Sequence, residues 1–368
     1  MKQKATLFPR LILAKIFLLL SATLMAYDHP GGMHPKAQIS FVKEQVKQKR
    51  EPYYTAYLQL IHKADSILQV QHHALADFSV PGYYIKPQEH RANSQAIQQD
   101  GFSAYAAALA WQLSGKSVYA EKALYFLNAW ASINKKYSDF DGPLVMSYSG
   151  TSLMMAAELI RPYKKWKKAD RELFAVWVEN VYRKAANSIR NRKNNWADWG
   201  RMGSLLAAYY LDDAADVAEN ARLIKSDLFH KIAADGSMPE ETRREKNGIW
   251  YTYFSLAPIT ASCWIVYNAT GEDLFTYAQG QQSIKNALDY LLYYNQHPDE
   301  WKWFKNPNTG KPGAIGFWPA NLFTAMYGIY GDETYKKYTR PHEPIIYEQH
   351  HFAWTFPSLM PVSLKGYR

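Results

Sequence analysis

The stretch GFSAYAAALAWQLSGKSVYAEKALYFLNAW, residues 101 to 130, decides the fold. Ala104, Ala107, Ala108 and Trp111 recur at helical spacing, and Leu124, Leu127 and Trp130 take up the same spacing after a break. The break is Ser114-Gly115-Lys116-Ser117, where Gly suits a left-handed helix C-cap and Ser suits the start of the next helix. Two helices joined this tightly form an antiparallel hairpin. Thr270-Gly271-Glu272-Asp273 and Tyr330-Gly331-Asp332-Glu333 repeat the device. Helical periodicity also runs over residues 153–163, 169–189, 197–211, 214–232, 251–268 and 275–294. A hairpin cannot bury its apolar faces alone, so an array of them stacks into an open solenoid or a closed ring.

Working outward, the 368-residue chain is long enough for a large core, and its single cysteine, Cys263, excludes an internal disulfide. No paired Cys/His spacing offers a zinc site, and nothing calls for another metal or a cofactor. The formal charge is +10, which invites a polyanion. Part of that charge belongs to residues 1–26, where Lys2, Lys4, Arg10 and Lys15 precede the apolar run from Ile16 to Ala26. That run is too short to span a bilayer and reads as a signal peptide, so a secreted or periplasmic protein is expected. Residues 27–368 are expected to form one domain that keeps about +6. Export makes nucleic acid an unsuitable partner and leaves an acidic polysaccharide; no stable membrane association is expected after cleavage, and the mature chain is expected to be a monomer.

The 28 Tyr and 12 Trp bear on such a partner, because flat rings stack on sugar C–H faces while Arg, Lys and Asn address carboxylates. Three segments combine these types. NRKNNWADWGR (191–201) sets Asn194, Asn195, Trp196 and Trp199 at a helix start, where amides and the helix dipole favour an anion. DGSMPEETRREKNGIWYTYF (235–254) sets Arg243 and Arg244 ahead of Trp250, Tyr251 and Tyr253. YYIKPQEHRANS (83–94) reads as a polar loop that holds Tyr84, Lys86, His90 and Arg91. Each also has a plainer reading, as an N-cap, a solvated charge run and an ordinary loop.

These residues, together with YDHPGGMH (27–34), ALAW (108–111), YAEKA (119–123), LNAW (127–130) and AAELIR (156–161), resemble the alginate lyase family of polysaccharide lyases. The resemblance covers about two thirds of the chain, from His29 to about Asn268, and is sharpest at Asn194-Asn195 and from Asp235 through Glu241, Arg244 and Tyr251. It implies an all-α fold, an (α/α) toroid. The family's spacing of seven positions from Arg to Tyr is kept by Arg244 and Tyr251. One departure stands out. Mannuronate-cleaving members follow the paired Asn with His, and this chain has Trp196 there.

The chemistry that follows is β-elimination from a β-1,4-linked polyuronate. The C5 proton is a weak acid while the adjacent carboxylate is ionised, so donors on that carboxylate, here Asn195 and Arg244, supply the main stabilisation. Tyr251 is the expected base and then acid, its phenolate favoured by the neighbouring Arg. His34, His90 and the pair His350-His351 are available as partners, His90 first because Lys86 and Arg91 flank it. Asn194, Trp196, Trp199, Arg243, Tyr253, Trp250, Lys86, Arg91 and Tyr84 are expected to bind sugar. Polymannuronate is the first substrate expected and glucuronan the second. A non-catalytic polysaccharide-binding protein is the rival from another class. A glycosidase would need two opposed carboxylates, for which Glu158, Asp198 and Glu241 could be conscripted.

Overall fold

The computed structural model describes residues 26–310 and 317–367, so the expected signal peptide lies outside the described residues apart from Ala26. Fourteen α-helices follow in order among the described residues: α1 Lys36–Lys47, α2 Tyr53–Ile67, α3 Pro87–Ser114, α4 Ser117–Ile133, α5 Gly142–Ile160, α6 Lys168–Trp177, α7 Arg183–Ile189, α8 Asn195–Tyr210, α9 Ala214–Lys231, α10 Pro239–Thr242, α11 Gly248–Thr270, α12 Ile284–Gln296, α13 Ala320–Tyr330 and α14 Glu333–Thr339. Two small sheets complete them: β1 (Asp77–Ser79) lies parallel to β2 (Lys136–Ser138), and β3 (Ala278–Gln279) pairs antiparallel with β4 (Gln282–Ser283).

Hairpin periodicity held where it was strong. Gly115 (φ 74°) and Gly271 (φ 78°) both take the left-handed cap conformation, with nothing near the space a Cβ would fill. The partner residues behave less uniformly. Asp332 caps α14 by accepting from Thr334 N at 2.8 Å, but Lys116 rather than Ser117 precedes α4 and makes no side-chain cap. Asp273 accepts from Phe275 N in a turn, so residues 275–283 form that turn and the β3–β4 hairpin, not the start of a helix. The largest correction lies before residue 100. Pro87 sits at the first position of α3, where its missing N–H is harmless, so most of the supposed polar loop at 83–94 is helix.

The inner helices are α3, α5, α8 and α11. Each is buried along most of its length, and α3 packs on α5, α5 on α8 and α8 on α11. Such burial explains their small-residue content, since close axes leave little room for side chains. At Gly200 on α8, a Cβ would lie 2.7 Å from Ala186 O and from Arg190 N. Helices α4, α6, α7, α9 and α12 form the outer layer, with α4 against α3, α7 and α9 against α8, and α12 against α11. The arc of inner helices ends at α11 and begins at α3, and the gap is filled by the non-helical, buried segment 351–360. Trp354 Nε1 donates to Thr260 Oγ1 on α11 at 2.9 Å, while Phe356 packs edge-on to Tyr105 of α3 with ring centres 5.2 Å apart. This closes an (α/α) toroid.

All four inner helices run the same way. Their first halves face one end of the ring, and the last turns of α5, α8 and α11 meet the segment 27–34 at the other, with Tyr105 of α3 beside His34. There His29 lies between Glu158 (2.9 Å) and Asp212 (3.0 Å), Gly31 N donates to Glu158, and Trp264 Nε1 donates to Met33 O. Glu158 is therefore committed to structure.

Candidate active site

The N-terminal ends of the inner helices open into a cavity of about 1480 Å3, large enough for several sugar units. Nine of the thirteen residues singled out from sequence line it: Tyr84, His90, Arg91, Asn194, Asn195, Trp196, Arg244, Trp250 and Tyr251. They come from α3 and the segment before it, α8 and its N-cap, the turn after α10, and α11, so the ring assembles what the chain keeps far apart.

The centre is a contact among Tyr84, Arg244 and Tyr251. Tyr251 lies in the first turn of α11 and its hydroxyl is 2.7 Å from that of Tyr84, in the segment before α3. Arg244 Nη2 donates to the Tyr84 hydroxyl at 2.7 Å, and its guanidinium stands 4.6 Å from the Tyr251 ring centre. Arg244 favours the phenolate as expected, but it does not win. Burial, reinforced by Tyr84, pushes the Tyr251 phenol well above the ordinary tyrosine range. The resting site thus holds a protonated phenol, which corrects the expectation of an easily ionised one.

Asn195 opens α8, and Asn194 before it is the N-cap, accepting from Trp196 N. Both the backbone N–H and Nδ2 of Asn195 donate to Glu241, at 2.7 and 2.8 Å. The Glu241 carboxyl is buried under the cleft floor, and burial holds its pKa at about 7 against the opposing hydrogen bonds from Asn195. Glu241 thereby fixes the amide plane of Asn195 and leaves the second Nδ2 proton available. On α3, His90 Nδ1 donates to Pro81 O at 2.9 Å with Asp141 3.2 Å away, which leaves Nε2 as the acceptor.

Four expected sugar contacts lie elsewhere. Trp199 is fully buried against Tyr148 and Phe254, beneath the cavity floor. Tyr253 is buried too, its hydroxyl donating to Asn321 Oδ1 at 3.1 Å, because two residues along a helix turn it away from the side Tyr251 occupies. Arg243 pairs with Glu240 on the surface, and Lys86 pairs with Glu89 at 3.0 Å, both outside the cavity lining. Trp196 lines the cavity, yet Arg192 covers its ring at 3.9 Å and Phe140 meets it edge-on, so it is no bare platform.

Of the pair His350-His351, expected only as available partners and ranked behind His90, the structure brings His350 to the cavity, its ring 5.2 Å from Trp250 and its pKa pushed down to about 4 by burial, then by His90. Nothing in the local pattern separates it from His351. Sequence reading missed several other lining residues. Tyr148 on α5 is buried and lines the floor, and burial keeps its phenol protonated. Gln95, Gln98 and Gln99 recur with Arg91 at helical spacing, a signal lost between the loop expected at 83–94 and the helix expected only from about residue 100. Of the other histidines, His34 is buried beside Tyr105 near the opposite end, and His351 is buried with Nε2 3.0 Å from the Tyr347 hydroxyl. Glu158, Asp198 and Glu241 are bound to His29, Lys231 and Asn195, so none is placed for glycoside hydrolysis.

A family model described as alginate lyase matches residues 42–301. Among solved structures, an alginate lyase from Bacteroides ovatus superposes with a TM-score of 0.70 at 18% identity, over 88% of this chain and 98% of its own. A tyrosine-to-phenylalanine variant of alginate lyase A1-III, complexed with a tetrasaccharide, gives 0.72 at 16% identity over 91% and 95%. Alginate lyase A1-III from Sphingomonas species A1 gives 0.66 at 16% identity over the same shares. No curated protein matches. At these identities the superpositions establish the toroid, and the family match over most of the sequence establishes more: the chain belongs to the alginate lyase family and is a polysaccharide lyase.

Proposed function

We propose that this enzyme cleaves alginate within its mannuronate blocks by syn β-elimination, with Tyr251 as base and then acid. The observation that carries the proposal is the meeting of Tyr251, Tyr84, Arg244 and the Glu241-held Asn195 in one cavity. In β-1,4-linked mannuronate the C5 hydrogen and the C4 oxygen lie on one side of the ring, so one group can serve both. Tyr251, ionised by passing its proton through Tyr84 to solvent, takes the C5 proton. The C5–H electrons form the C4–C5 double bond, the C4–O4 bond breaks, and O4 leaves with the proton that Tyr251 has just gained. Arg244 and Asn195 hold the carboxylate, whose negative charge grows as C5 gives up its proton. His90 Nε2 offers a second acceptor in the same cavity.

Glucuronan is the second reading, because its C5 hydrogen and O4 share the same relation and because Trp196 stands where mannuronate-cleaving members carry His. The basic-then-apolar segment at 1–26 supports action outside the cytoplasm, where such polymers are met. The test is ultraviolet absorbance of unsaturated uronate product from polymannuronate, polyguluronate and glucuronan. Fastest product from polymannuronate is expected. Fastest product from polyguluronate would overturn the single-residue syn mechanism.

A further inference from the structure

Three arginines line the cavity, and all three share a feature. Arg91 stands 5.7 Å from the Tyr83 ring centre, Arg192 3.9 Å from that of Trp196, and Arg244 between Tyr84 and Tyr251 at 5.2 and 4.6 Å. None has a carboxylate partner among the described residues, whereas of the arginines away from the cavity Arg161, Arg183, Arg190, Arg201, Arg222 and Arg243 have one and only the exposed Arg50, Arg171 and Arg340 lack one. The two carboxylates that line the cavity are already engaged. Asp141 accepts from Tyr83 N at 2.8 Å and lies 3.2 Å from His90, and Glu348 pairs with Lys63 at 2.8 Å. The cleft therefore presents three stacked guanidinium groups without a carboxylate, although Arg91 Nη1 donates to the Tyr83 hydroxyl at 3.3 Å and Arg244 Nη2 to that of Tyr84 at 2.7 Å. Stacking on a ring fixes the plane of a guanidinium, and the N–H donors that remain suit a carboxylate.

Their positions differ in the ring. Arg244 touches the proposed base; Arg192 lies three residues before Asn195 on the α8 side; Arg91 follows His90 on α3, beyond α5. We propose that Arg192 on Trp196 and Arg91 on Tyr83 each bind the carboxylate of a uronate beside the one that reacts, so that the enzyme selects uninterrupted runs of charged uronates. This rests on the lyase reading of the same cavity and goes further by making charge on neighbouring units a condition of binding. It also gives Trp196 a role: it holds Arg192 flat instead of stacking on sugar. Between the cations, Gln95, Gln98 and Gln99 are left to address hydroxyls.

The test compares wild type, Arg192→Gln and Arg91→Gln on polymannuronate and on the same polymer partly methyl-esterified, which removes charge without changing the backbone. Wild-type KM should rise steeply with esterification and with salt between about 0.05 and 0.5 M. Each variant should raise KM about tenfold on the unmodified polymer, lower kcat by no more than about threefold, and respond less to both esterification and salt. Arg192→Lys should recover only part of the KM, since Lys keeps the charge but not the planar fork. Arg50→Gln, an exposed arginine outside the cavity, is the control. Variants with the wild-type KM and wild-type responses to charge would overturn the inference even if the enzyme is an active lyase. Absence of product from every polyuronate with the wild type would instead sink the reading beneath it.

Discussion

The two ends of the toroid are built from the same four helices and treat polar groups in opposite ways. At the closed end the charges around residues 27–34 are paired: His29 lies between Glu158 and Asp212, Arg161 donates to Tyr210 O at 2.6 Å and to Asp212, and the Tyr209 hydroxyl donates to Asp28 O. At the open end Arg91, Arg192 and Arg244 have no carboxylate partner among the described residues, and a buried phenol is kept beside a guanidinium. Helix direction helps to explain the division. Four N-termini converge on the open end and favour negative charge there, so cations placed among them gain nothing until an anion arrives. The closed end can spend its polar groups on stability, whereas the open end must keep them for substrate.

The contrast would break most visibly at Tyr251. Tyr251→Phe should lower kcat by about a thousandfold or more while leaving the melting temperature close to wild type, since the lost hydroxyl interacts only with the cavity-lining Tyr84 and Arg244. In the wild type the rate should climb with pH across the neutral range, because the raised phenol pKa keeps the reactive phenolate scarce there. A kcat that survives the substitution would dissociate this end from the chemistry.

The converse experiment is at the closed end. Glu158→Ala removes the partner of His29 and Gly31 N and should destabilise the fold by about 3 kcal/mol, read as a lower urea midpoint, with kcat nearly unchanged. A large loss of kcat in folded protein would show that the two ends are coupled.

Glu241 lies between the two regimes, a structural group that serves a catalytic one, and its effect should be smaller. Folded Glu241 titrates at about 7, while the unfolded chain has a reference value of about 4.3. Between those values the folded state binds the extra proton. Its contribution thus favours folding at low pH, declines as pH rises toward 7, and is constant above that. Urea midpoints measured from pH about 5 to 8 should fall with pH in the wild type and flatten in Glu241→Gln. The same variant should lose about tenfold in kcat as the Asn195 amide loosens. Lys86→Ala should do least, with kcat/KM within about twofold of wild type, because its partner is Glu89 at the surface.

Legibility in the sequence followed locality. Asn195, Arg244 and Tyr251 were found because the motif places each at or near a helix start, and a helix start fixes direction within a turn. Trp199 and Tyr253 were misplaced for the complementary reason: which side of α8 or α11 faces the cavity depends on neighbours that composition does not name. His350 could be named only together with His351 and behind His90, since it sits on a non-helical stretch without periodicity and reaches the cavity only because the chain that follows it closes the ring.

By itself, then, the sequence determined an array of helical hairpins, through apolar repeats at helical spacing and Gly-ended caps such as Gly115 and Gly271, and its motifs determined the family. These are short-range properties, set by backbone conformation and the side-chain period of a helix. Only the tertiary structure decided which aromatic rings face the cleft, which arginines remain without a partner, and that the segment 351–360 completes the toroid. Those outcomes depend on contacts between residues more than a hundred positions apart, such as Tyr84 with Tyr251 and Phe356 with Tyr105. No local pattern encodes them, because they exist only once the inner helices have packed side by side.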